Sequence, residues 1–126
     1  MTPNYIGQAK SYEYDHEVRI NSIELRDKEY KIIKPEGIFR ILILGDSFVF
    51  NYGISYGLGF DVLLEKYLNK NNVDSKYIGF EILNAGIGSY EPYDELKYYQ
   101  KFLRQLTPDI LIFAFYEGSD FSKFRN

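Results

Sequence analysis

A mixed α/β domain built on a parallel sheet is the fold class this sequence predicts, and three observations predict it. Three short apolar runs, at residues 40–44, 79–83 and 110–116, lack the polar alternation of half-exposed strands. Two stretches between them space their apolar residues as helices do. Strands and helices then alternate singly, the pattern of βαβ units.

Each element has its own signal. Residues 1–37 are polar and Tyr-rich, with short extended segments expected at 17–23 and 29–33. The turn Lys34-Pro35-Glu36-Gly37 closes this arm, which is expected to pack on the domain formed by residues 38–126. The strand at 40–44 stops at Gly45-Asp46-Ser47, and the loop after it carries Gly53, Gly57 and Gly59. A helix is predicted over 60–69, with Phe60, Leu63, Leu64, Tyr67 and Leu68 forming one apolar stripe to face the core. Asn71-Asn72 ends it. The strand at 79–83 runs into Asn84-Ala85-Gly86-Ile87-Gly88-Ser89. Pro92 suits the first turn of a second helix, whose Tyr93, Leu96, Tyr99, Leu103 and Leu106 share a face until Thr107-Pro108 stops it. The last strand, 110–116, leads to Glu117-Gly118-Ser119-Asp120.

Bulk composition excludes several functions. The 126 residues are 45% hydrophobic and 26% charged, ordinary values for one small globular domain. A net charge of −3 without a basic stripe argues against nucleic acid as a partner. With no cysteine there are no disulfides or thiolate metal sites, and no set of His and carboxylates has metal-ligand spacing, so no metal site is expected. No apolar run approaches the ~18 residues of a membrane span, and residues 1–10 lack the apolar core of a secretory signal. Neither composition nor pattern fixes the oligomeric state or the compartment.

Three strand ends concentrate Gly, Ser, Asn and Asp at what becomes one edge of a parallel sheet, the edge where such sheets bind ligands. Ser47, delivered there beside Gly45, is a candidate nucleophile. Asp46 and Asp120 are expected to brace their turns, and Asn84 to bond backbone across its strand end, with substrate contact as the alternative.

The segment Arg40-Ile41-Leu42-Ile43-Leu44-Gly45-Asp46-Ser47-Phe48 resembles the first block of the SGNH, or GDSL, hydrolases and esterases. Ile82-Leu83-Asn84-Ala85-Gly86 resembles their second block, and Pro108-Asp109-Ile110 through Asp120-Phe121 their third, in the same order and spacing. Ile20-Asn21-Ser22-Ile23-Glu24-Leu25-Arg26-Asp27 resembles a segment preceding the domain in some bacterial cytoplasmic or envelope members. The resemblance implies a flavodoxin-like three-layer α/β/α fold and cofactor-free ester hydrolysis or acyl transfer on a small-molecule or carbohydrate ester. It makes Ser47 the nucleophile and first oxyanion donor. The second-block donor, a glycine in the family, falls on Ser89 beside Gly88, and the third-block Asn falls on Ser119.

The family's base, a His in a late Asp-x-x-His, has no counterpart in this sequence. His16, the only histidine, is expected to be a solvated residue of the arm, and Asp61 and Asp94 to lie on exposed helix faces. With about three strands and two helices, the chain is expected to be the truncated front of such a domain, weakly active or inactive alone. The alternative is a non-catalytic relative that binds carbohydrate or a partner.

Overall fold

The computed structural model describes residues 1–118 and 120. An antiparallel hairpin, β1 (Ile6–Lys10) and β2 (Asp15–Arg19), opens the chain. Then follow β3 (Ile38–Gly45), α1 (Phe60–Asn71), β4 (Gly79–Gly86), α2 (Pro92–Tyr98) and β5 (Ile110–Phe113). The three later strands form one parallel sheet in the order β4-β3-β5, so β3, which leads to Ser47, is central.

Side chains of β3 alternate between two cores. Leu42 and Leu44 join Leu83, Leu103, Leu106 and the arm's Leu25 and Tyr30 in one cluster. Ile41 and Ile43 join Ile82 and Val49 in the other, with Leu68 of α1 against them. The buried Arg40 secures the opposite, amino-terminal end of the sheet. Its guanidinium donates to the Glu81 carboxylate (2.8 Å) and to the carbonyls of Ile32 (3.2 Å), Leu106 (2.9 Å) and Lys31 (2.8 Å).

Several expectations for the arm and helices need correction. Of the extended segment expected at 17–23, residues 17–19 are strand, as the end of β2 in a polar hairpin, and 29–33 is irregular. That second segment is strapped rather than paired: Tyr30 donates its hydroxyl to the Ile82 carbonyl (2.8 Å), and Arg40 takes the carbonyls of Lys31 and Ile32. The last strand is shorter than expected and ends at Phe113. The second helix is not continuous. After α2 it widens into a π turn at Tyr99–Leu103 and tightens into a 3-10 turn at Arg104–Leu106. This change of phase buries Leu103 and Leu106 while Tyr93 and Leu96 stay exposed.

The largest correction concerns α1. Its stripe of Phe60, Leu63, Leu64 and Tyr67 is exposed, and Leu68 alone of the five packs on the core. The inward face is polar because β4 is an edge strand whose outer backbone groups need partners. Asn69 Oδ1 accepts the Phe80 N–H (2.8 Å) and its Nδ2 donates to the Phe80 carbonyl (3.0 Å). Glu65 Oε2 accepts the Ile82 N–H (2.8 Å), and Asp27 Oδ2, from the arm, accepts the Asn84 N–H (2.9 Å). Side chains therefore close the β4 edge at every second residue.

Candidate functional site

The sheet's carboxyl edge is shaped by two glycines. Gly45 and Gly86 are register partners at the ends of β3 and β4, and the turn after β3 folds directly onto them. Within that turn Asp46 Oδ1 accepts the Phe48 N–H (2.9 Å) and the Asp46 carbonyl accepts the Phe50 N–H (3.0 Å). Asp46 is buried, Ser47 half-buried and Phe48 exposed. The Ser47 hydroxyl has no hydrogen-bond partner among the described residues.

Asn84 lies under this turn rather than in a cleft. It is fully buried, and both ends of its amide serve backbone: Nδ2 donates to the Val49 carbonyl (2.6 Å) and Oδ1 accepts the Gly86 N–H (3.0 Å). In this structure it positions the Ser47 turn and has no surface left for a substrate.

The Ile87 N–H donates to the Gly45 carbonyl (3.0 Å), which holds the 87–90 turn beside the Ser47 turn. Ser89 is exposed at the tip with φ 70°, a conformation that favours glycine. Among the described residues, the N–H groups of Ser47, Gly88 and Ser89 donate to none. Unspent backbone N–H groups are the kind of donor that an oxyanion or other anionic ligand atom requires.

Beyond β5, Asp120 is buried and joined to Tyr116 both ways. Its Oδ2 accepts the Tyr116 N–H (2.6 Å) and its own N–H donates to the Tyr116 carbonyl (3.0 Å). Ser119 and Phe121 lie outside the described residues. Asp46, Phe48, Val49, Ala114, Phe115 and Tyr116 line a groove of about 190 Å³, with the Phe48 and Tyr116 rings 5.0 Å apart. A second groove, about 370 Å³, lies between the arm and the strand ends and is lined by residues such as Tyr5, Val18, Phe50, Tyr52 and Gly88.

His16 is buried, not solvated, which corrects the expectation for it. Its Nε2 accepts the Gly53 N–H (3.1 Å), so Nδ1 is the protonated nitrogen and faces the Glu17 carbonyl (3.2 Å). Next to it Arg26 donates to the carbonyls of Phe50 (2.5 Å), Asn51 (2.7 Å) and Ile54 (2.5 Å). Burial lowers the Arg26 pKa from its usual range. Together His16 and Arg26 pin the loop that follows Ser47 to the arm. Asp61 is also buried, against expectation, and accepts from Asn51 Nδ2 (2.7 Å). Asp94 caps α2 by accepting the Glu91 N–H (3.2 Å).

Sequence reasoning missed Glu95. It is 1% exposed on α2, and neither carboxylate oxygen has a hydrogen-bond partner among the described residues. Burial, and then the charges of Asp120, Asp46 and Asp94, raise its pKa to about 7. The one available signal is its place early in a helix leaving the strand-end edge, which does not separate it from any capping acid. Among the described residues no group of three His, Cys, Asp or Glu could hold a metal, and no helix is long and apolar enough to cross a membrane. No family model, curated protein or solved structure matches this chain.

Proposed function

We propose that this chain carries the nucleophile-bearing part of an SGNH-type ester hydrolase, in a flavodoxin-like three-layer α/β/α architecture. The observation that carries the reading is the Ser47 hydroxyl at the end of the central strand, without a hydrogen-bond partner among the described residues, on a turn beside the 87–90 turn that carries Ser89. Ser47 Oγ bonds to the acyl carbon as its proton passes to a base, and the base gives that proton to the alcohol oxygen as the carbon–oxygen bond breaks. Water then attacks the acyl carbon, its proton passing through the base to Ser47 Oγ as the acid is released. The N–H groups of Ser47 and Ser89 stabilise the oxyanion, with Ser119 as the third-block counterpart. Each such donor is worth ~10²–10³ in rate.

The base is what the described residues do not supply. His16 is committed to the Gly53 N–H, and no described residue is hydrogen-bonded to the Ser47 hydroxyl. This favours, as a second reading, a non-catalytic relative that binds a carbohydrate or partner at the same edge.

Hydrolysis of p-nitrophenyl acetate, with and without added imidazole, separates the two. Subtracting the Ser47→Ala rate removes the reaction of imidazole itself. The hydrolase reading expects a negligible difference without imidazole and one that grows with its concentration. A difference of zero at every imidazole concentration leaves the binding reading standing.

A further inference from the structure

Glu95 is a buried carboxyl whose two oxygens both lack a hydrogen-bond partner among the described residues. Native structures seldom keep such a group as an ion, because an unpaired buried charge is far costlier than a proton taken up. Among the described residues, the charges that bear on it come from three places and share one sign: Asp46 after β3, Asp120 after β5, and Asp94 on its own helix. Asp46 and Asp120 are also the residues that hold the two strand-end turns, through the Phe48 N–H and the Tyr116 N–H.

We propose that Glu95 is a proton-dependent positioning residue of the strand-end edge: its neutral carboxyl lets α2 pack against the turns of Asp46 and Asp120, and loss of the proton loosens both. A third negative charge beside two buried aspartates is relieved by admitting water or by moving α2 away. Either change reaches Ser47 through Asp46, its neighbour in the chain. The inference goes beyond the esterase reading and is measured without turnover, so the two can fail separately.

The test is an NMR titration of the full chain from pH 4 to 9, following the ¹³C shift of the Glu95 carboxyl and the amide signals of Phe48 and Tyr116. The expected result is a Glu95 midpoint near 7, displaced from the ordinary ~4.3. Both amides should move with that same midpoint. In Glu95→Gln they should stay still over that range. The wild-type carboxyl midpoint decides even if the variant does not fold. An ordinary midpoint, or a Phe48 or Tyr116 amide that does not follow Glu95, overturns the proposal.

Discussion

Gly45 and Gly86 face each other across β3 and β4, and neither has room for a Cβ. A Cβ on Gly86 would stand 2.4 Å from the Phe50 nitrogen and 2.6 Å from the Val49 carbonyl carbon, both backbone. One on Gly45 would meet the Val49 side chain at 2.3 Å. The turn carrying Ser47 is therefore seated on two bare backbone positions.

It follows that Gly86→Ala should be the more damaging change, because backbone cannot rotate aside as Val49 can. A loss of about 3 kcal/mol is expected for Gly86→Ala and about 1–2 for Gly45→Ala, read from urea denaturation. Equal small losses would mean that the turn is not held down on the strand ends.

For α1 the usual ranking of helix residues should invert. Leu63→Ala and Tyr67→Ala remove exposed side chains and should change stability by no more than about 0.5 kcal/mol. Glu65→Ala strips the partner from the Ile82 N–H and should cost about 1–2 kcal/mol. Thermal melts of the three variants check the order.

Arg40 should be among the least replaceable residues of the sheet. Arg40→Leu leaves the Glu81 carboxylate and the carbonyls of Lys31, Ile32 and Leu106 without their donor, at a cost of about 3–5 kcal/mol. Arg40→Lys should recover only part of this, since one ammonium cannot fan out to four acceptors. Denaturant midpoints of both variants test it.

Burial raises the Asp27 carboxyl to about 7, against the opposing pull of the Asn84 and Lys28 N–H groups. Between its ordinary pKa and about 7, the unfolded chain has released a proton that the folded chain keeps. This contribution is therefore complete at low pH and is lost as pH rises toward 7. Stability measured in urea should fall from pH 5 to pH 7, and Asp27→Asn should flatten part of that fall. A rise over the same range in the wild type would contradict the assignment.

The parallel sheet was legible because its strands are short, mostly apolar segments that end in small and polar turn residues, a local signal. The helix starts at Phe60 and Pro92 were legible for the same reason. What the sequence hid depends on distant partners. The apolar stripe of α1 points inward only if the sheet offers it an apolar face. Here β4 offers open N–H groups, and Glu65 and Asn69 answer them. His16 looks solvated in the run from Glu13 to Arg19, and its burial depends on Gly53 and Arg26, far along the chain. Asn84 looks like a site residue because it ends a strand. Its burial beneath Val49 comes from the turn that Gly45 and Gly86 admit.

The central claim is that Ser47 is a nucleophile, and peptide mapping tests it most directly. The chain is exposed briefly to p-nitrophenyl acetate with imidazole, quenched in acid and digested. An acetyl group is expected on Ser47 itself and is lost in Ser47→Ala. Acetylation confined to lysines and the amino terminus, unchanged in that variant, would contradict it.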